Sequence, residues 1–237
     1  MPETIYTIPI NEAFDKTAES DTPCCPFCEL YDMLEKNAVD AVLGAAMMEP
    51  DVRIETNKLG FCRGHFNKMY EKGNRLGLAL ILESHIAEVN DKVFKKPLFD
   101  TKGEKSEGAI EKLSHTCYLC SKISGSLSKM FSNTIYIWET DDEFRHKYKK
   151  QRCFCLPHYK RILEYGRSGL GKKDFAEFFE VSKGIERKYI DSLNEDVSWF
   201  CKKFDYRYDS EPWGNAKDSV PRALDFLAGG KTEKQLK

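Results

Sequence analysis

The chain has 237 residues, with 37 Lys or Arg against 38 Asp or Glu, a formal net charge of −1 that excludes any global pull toward nucleic acid or anionic membrane. Hydrophobic residues make up 41% and charged residues 32%, which excludes a disordered chain and suits one large soluble domain or two small ones. No stretch reaches the roughly 18 apolar residues of a membrane span, and Met1-Pro2-Glu3-Thr4 has no basic stretch leading into an apolar core, so we expect a cytoplasmic protein without a signal peptide.

In chain order, nearly every element reads as helix. Asn11 is expected to cap a short helix holding Ala13 and Phe14. Cys24-Cys25-Pro26-Phe27-Cys28 forms a tight knuckle. Leu30, Leu34, Ala38, Ala41, Val42 and Ala45 then recur at three- and four-residue steps, predicting a helix from about Glu29 to Met48 that Pro50 breaks. A second knuckle, Cys62-Arg63-Gly64-His65, opens a helix interrupted by Gly73 and Gly77. A more apolar helix follows through Leu78, Ile81, Leu82, His85, Ile86, Val89 and Val93. Residues 97–108 are polar and Gly-containing and read as a linker between halves spanning 1–96 and 109–237.

The second half repeats the plan. Cys117-Tyr118-Leu119-Cys120 leads into a helix through Ile123, Leu127, Met130, Phe131, Ile135 and Trp138, and Cys155-Leu156-Pro157-His158 opens the next. A long helix from about Asp174 carries the stripe Phe175, Phe178, Ile185, Tyr189, Leu193, Val197, Phe200 and Phe204. Asp205 to Gly214 is aromatic and expected to be an extended strap. Ala223, Leu224, Phe226 and Leu227 predict a last short helix, and Gly229 to Lys237 a frayed tail.

Nine cysteines in a reducing compartment point to metal or redox chemistry more than to disulfides, and the odd count excludes complete intramolecular pairing. Two of the spacings match: 33 residues separate Cys28 from Cys62 and 34 separate Cys120 from Cys155. Beyond each histidine come an aromatic residue, a base, an apolar pair, Glu (Glu71, Glu164) and Gly (Gly73, Gly166), and Phe61 and Phe154 precede the third cysteines. This self-similarity predicts an internal repeat.

Three thiolates and an imidazole are a common tetrahedral zinc set. Cys-x-x-Cys places two sulfurs on one side of a knuckle, and Cys-x-x-His at a helix start does the same while the helix N-terminus favours thiolate. Assigning ligands half by half gives Cys25, Cys28, Cys62 and His65 to one zinc and Cys117, Cys120, Cys155 and His158 to another. Each set is closed, which argues for structural rather than hydrolytic metal. Iron–sulfur clusters are the alternative, and buried unliganded cysteines would leave the paired histidines unexplained.

Cys24, Cys153 and Cys201 are left over. Cys24-x-x-x-Cys28 is a competing register, but only Cys25 and Cys155 keep the repeated spacing, and Cys201 beside Phe200 reads as core. Cys25-Pro26-Phe27-Cys28 also looks like a dithiol redox motif, yet the βαβ context such a motif needs is missing. Arg145, Lys147, Lys149, Lys150, Arg152, Lys160 and Arg161, with Tyr148 and Tyr159, make the segment 145–161 a nucleic-acid candidate. A solvated face balanced by Glu139, Asp141, Asp142 and Glu143 explains it as well. His85, His115 and His146 have no partner at ligand spacing, and His85 reads as a satisfied core histidine.

Ile8-Pro9-Ile10-Asn11-Glu12-Ala13-Phe14, Cys25-Pro26-Phe27-Cys28-Glu29-Leu30, Gly60-Phe61-Cys62-Arg63-Gly64-His65-Phe66, Gly73-Asn74-Arg75-Leu76-Gly77-Leu78-Ala79, Phe204-Asp205-Tyr206-Arg207 and Trp213-Gly214 together resemble an uncharacterised bacterial family. It is a domain of unknown function with paired Cys-x-x-Cys and Cys-x-x-His elements, and the resemblance implies no established activity. The expectation is therefore an all-α fold of two helical repeats, each stapled by a Cys3His zinc site, serving as a non-catalytic interaction or regulatory scaffold for a protein partner. An iron–sulfur or dithiol redox protein and a nucleic-acid binder are the alternatives.

Overall fold

The computed structural model describes residues 6–95 and 102–229. Among them the chain is all helical, with eleven α-helices and no strand. The helices are α1 (Thr7–Glu19), α2 (Pro26–Leu43), α3 (Pro50–Leu59), α4 (Arg63–Glu71), α5 (Arg75–Val89), α6 (Glu104–Ser114), α7 (Tyr118–Thr140), α8 (Asp142–Lys149), α9 (Leu156–Gly169), α10 (Lys172–Lys202) and α11 (Ser219–Ala228). None is long and apolar enough to cross a membrane. Two compact units emerge, one from residues up to Asp32 together with those from Leu127 onward, the other from Met33–Ser126.

The core of the first unit is aromatic. Phe14, Phe27, Phe131, Trp138, Phe144, Tyr148, Phe154 and Phe178 are each at most 1% exposed. Burying such a side chain contributes roughly 1.5–3 kcal/mol. The rings also meet in favourable geometry, Phe27 stacked on Phe131 at 4.0 Å and edge-on to Phe14 at 5.8 Å. The Tyr148 hydroxyl shares a 2.8 Å hydrogen bond with Ser182 Oγ, which satisfies its buried polar tip. Gln151 ties α1 to the loop before Cys155, donating to Phe14 O at 2.8 Å and pairing with Thr17 Oγ1 at 2.7 Å.

The buried stripe of α10 is Phe178, Ser182, Glu186, Tyr189 and Leu193. Its period is the predicted one, but two members are polar. Ser182 serves Tyr148, and Glu186 Oε1 accepts from Phe154 N at 2.7 Å. Phe204 falls outside the stripe, beyond the helix end and 77% exposed.

In the second unit Met69 is fully buried, and Val39, Val42, Leu43, Phe61, Leu78, Ile81 and Val93 are buried as well. Asn74 caps α5: its side chain accepts from Gly77 N at 3.0 Å and donates to Leu43 O at 2.7 Å. A Cβ on Gly77 would stand 2.7 Å from Asn74 Nδ2 and 2.9 Å from Leu43 O, so glycine allows this close approach.

Several local expectations need correction. Asn11 lies inside α1, where its side chain donates to Thr7 O, and caps nothing. The helix after the first knuckle stops at Leu43 and Gly44, and Ala45–Met48 is a 3-10 turn. Pro50 opens a further helix, α3, since its fixed φ and missing N–H suit a first-turn position. Gly77 does not interrupt a helix but sits in the first turn of α5. Asp141 starts an unpredicted helix, α8, by accepting from Glu143 N and Phe144 N. Of the expected linker, residues 97–101 lie outside the described residues, and α6 occupies the chain from Glu104. The aromatic strap is not extended. It folds through a 3-10 turn at Tyr206–Tyr208, and Lys203 Nζ donates to the carbonyls of Tyr208, Asp209 and Glu211. Residues 230–237 of the expected tail lie outside the described residues.

Candidate metal centres

All four motifs share one local geometry. α4 and α9 have Cys62 and Cys155 as their N-cap residues. α2 and α7 begin at Pro26 and Tyr118, directly after Cys25 and Cys117. The carbonyls of Cys25, Cys62, Cys117 and Cys155 each accept the first helical hydrogen bond, from Glu29, Phe66, Ser121 and Tyr159 at 2.8–3.2 Å. The second ligand of every motif therefore falls in the first helical turn, three residues on, where its side chain returns toward the N-cap. That is the physical reason for the x-x spacing. The helix N-termini add partial positive charge around the sulfurs, which favours thiolate.

The structure gathers the eight expected ligands into two buried or half-buried groups. One is Cys25, Cys28, Cys155 and His158, in the first unit. The other is Cys62, His65, Cys117 and Cys120, in the second. The half-by-half assignment is thereby corrected: each Cys-x-x-Cys joins the Cys-x-x-His of the other half. The 33 residues between Cys28 and Cys62 therefore carry the chain from one group to the other and not back to the first.

The dimensions fit a single ion. His158 Nδ1 stands 3.6, 3.5 and 3.2 Å from the sulfurs of Cys25, Cys28 and Cys155, and Cys28 and Cys155 Sγ are 3.7 Å apart. In the second group His65 Nδ1 lies 3.3, 3.3 and 3.2 Å from Cys62, Cys117 and Cys120, with Cys62 and Cys120 Sγ 3.8 Å apart. A tetrahedron with metal–sulfur bonds of about 2.3 Å has edges of about 3.8 Å. All nine cysteines are free thiols, so no disulfide competes. Both groups can therefore hold metal ions.

Titration follows from this crowding. In the first group Cys28 is pushed far below the usual thiol range by hydrogen bonds from Cys155 and Cys25, while burial pushes Cys25 well up. In the second, Cys120 and His65 hold the Cys117 thiol down at about 3, against burial. Burial opposes charge on His65, but Cys117 and Glu35 outweigh it and raise the imidazole to about 10. A divalent ion deprotonates coordinating thiols outright.

The surroundings of the two groups differ. Phe27 and Phe131 flank the His158 ring at 5.9 and 5.8 Å, so the knuckle residue between Cys25 and Cys28 roots that centre in the aromatic core. In the other centre His65 Nε2 faces Glu35 Oε1 at 3.4 Å, a charge contact longer than a close hydrogen bond, and Glu35 also pairs with Lys68. This carboxylate–histidine arrangement orients a ligating ring. Sequence reasoning missed Glu35 and Glu186. The signal for Glu35 is an acid at a helical step between Tyr31 and Val39, all three buried.

Of the three leftover cysteines, Cys24 is half-buried and outside both groups, and Cys153 packs with Tyr189, Leu193 and Phe226. Cys201 is exposed, which corrects its reading as core. His85 is half-buried with Nδ1 3.2 Å from Asn57 O. His115 pairs with Glu111 and His146 is exposed. The basic segment is largely engaged within its own unit. Lys147 pairs with Asp15, Lys149 with Glu177 and Lys160 with Glu164, Arg152 donates to the carbonyls of Ser20 and Asp21, and Arg161 donates to Ser128 Oγ.

No curated protein matches the chain, and no solved structure does either. The profile of one family, described as a family of unknown function (DUF6062), matches residues 1–234. With nearly the whole length covered and the paired Cys-x-x-Cys and Cys-x-x-His motifs in place, the chain belongs to that family of unknown function, DUF6062.

Proposed function

We propose that this protein is a zinc-stabilised helical scaffold of the cytoplasm that binds two zinc ions, acts through a protein partner and has no catalytic role of its own. The observation that carries the reading is the pair of compact Cys3His groups, whose 3.2–3.8 Å edges suit one tetrahedral ion each. A cluster of several irons spreads its thiolates over separate metal atoms and would hold them farther apart. Four protein ligands per ion leave no open position for substrate or hydrolytic water. The engaged basic segment weighs against nucleic acid. Exposed apolar side chains near the end of α10 and on α11, among them Phe204, Tyr206, Leu224 and Leu227, favour protein contacts. The test is elemental analysis of protein purified without oxygen, together with its visible spectrum. Two zinc equivalents in a colourless protein support the reading; iron and sulfide in a brown one contradict it.

A further inference from the structure

A cavity of about 80 Å³ opens beside the first centre, lined by Cys24, Cys28, Cys153, Cys155, Tyr189 and Arg222 among others. One water needs about 10–15 Å³ on this measure, so the cavity admits a reactant of a few heavy atoms. One wall is sulfur. Another is the guanidinium of Arg222, held in place as Nε donates to Asp218 Oδ1 and Nη2 to Asp196 Oδ2, both at 2.9 Å. Among the four ligands of this centre, Cys28 is the one that is half-buried rather than buried. Cys24 is half-buried too, belongs to neither ligand group and faces the same cavity. A half-buried ligand sulfur, a spare thiol and a fixed donor thus share one small space.

We propose that this cavity is a modification site at which a small hydroperoxide, hydrogen peroxide being the simplest, oxidises Cys28, with Cys24 as the resolving thiol. The proposal rests on the metal-bound reading of the first centre. The Cys28 thiolate attacks one peroxide oxygen, the O–O bond breaks, and hydroxide leaves and takes a proton from solvent. The resulting sulfenic acid is attacked by the Cys24 sulfur; a disulfide forms, and the Cys24 proton departs with the sulfenic oxygen as water. Two sulfurs together lose two electrons, and peroxide is reduced to two waters. The disulfide removes Cys28 from the ligand set, and the first centre releases its metal. Arg222 is the cationic side chain on the cavity wall and so the group available to stabilise the departing hydroxide.

The experiment uses the full chain with both metals bound, treated with hydrogen peroxide at about one equivalent per site. Released metal is followed with a chromogenic chelator, and cysteines are mapped by mass spectrometry after thiol blocking. The expected result is loss of one metal in step with a Cys24–Cys28 disulfide, while Cys62, Cys117 and Cys120 stay unmodified. Cys24→Ser, which leaves all eight ligands in place, should start with both metals and yield Cys28 sulfenic acid that a dione probe traps. A Cys24–Cys153 disulfide with Cys28 intact, or equal metal loss from both centres, would overturn the proposal. A chain without metal at the outset would instead overturn the metal reading, and this proposal with it.

Discussion

Glu35 separates a metal-ordering residue from a surface acid. Its carboxylate faces His65 Nε2 while His65 Nδ1 faces three sulfurs. Glu35→Gln should therefore weaken the second centre by about 10–100-fold, the usual effect of removing such a partner, and leave the first unchanged. Competition with a chelator of known affinity measures this; equal weakening of both centres would count against it. The cysteines themselves divide by role. Cys28→Ser, His65→Ala, Cys120→Ser and His158→Ala should each lose about one metal per chain and several kcal/mol of stability, because metal binding is part of the folding free energy. Cys24→Ser, Cys153→Ser and Cys201→Ser should keep both metals. Mass spectrometry under native conditions, with thermal melts, reads both quantities. At this scale the sequence was informative: repeated x-x spacing singled out the same eight residues that the structure gathers, because that spacing is a property of one helix turn. Glu35 and Glu186 were harder to see, since their partners lie about 30 positions away in the chain.

Helices were legible where a long apolar stripe followed a ligand knuckle, as in α2 and α7, or where the stripe ran on for many turns, as in α10. The short helices α3 and α8 were not, because their starts depend on single residues, Pro50 and Asp141, that also mark turns. The strap failed for a related reason: aromatic residues favour extended chain, but here Lys203 gathers three carbonyls into a turn. Gly60 tests how tightly the ends of elements are fixed. It has φ +62°, its carbonyl accepts from Tyr118 N at 2.9 Å, and an added Cβ would come 3.1 Å from the His85 ring. Gly60→Ala should cost about 1–3 kcal/mol, measurable by chemical denaturation; an unchanged midpoint would show that the turn relaxes freely. Glu186 gives a pH test. Burial raises its carboxyl well above the usual carboxylate range, to about 8, although the bond from Phe154 N opposes the rise. A raised folded pKa means the contribution is full below the unfolded value and is lost as pH rises through about 8. Glu186→Gln keeps an acceptor for Phe154 N and carries no charge, so its melting temperature should gain on the parent between about pH 5 and about pH 8. A constant difference across that range would refute the assignment.

At the scale of the molecule, the ligand pairing was the feature hidden from sequence. Cys28 and Cys155 lie 127 positions apart, whereas Cys28 and Cys62 belong to one half, so proximity along the chain favours the wrong partners. The spacing along the chain carries no sign that a chain leaving one knuckle closes on the other, which the grouped side chains of the folded chain show. The reciprocal exchange means that an ion held by either group would join distant parts of the chain and close a long loop of the unfolded polymer, which is where a cross-link removes the most chain entropy. Loss of either metal should then damage more than one helix pair. The most direct measurement is the metal content of two double variants, by native mass spectrometry. Cys28→Ser with His158→Ala removes two ligands of one centre, and the chain should keep one metal. Cys28→Ser with His65→Ala removes one ligand from each, and the chain should keep none. The opposite pattern, one metal retained with His65→Ala and none with His158→Ala, would show that the ligands pair within halves and would contradict the crossed arrangement.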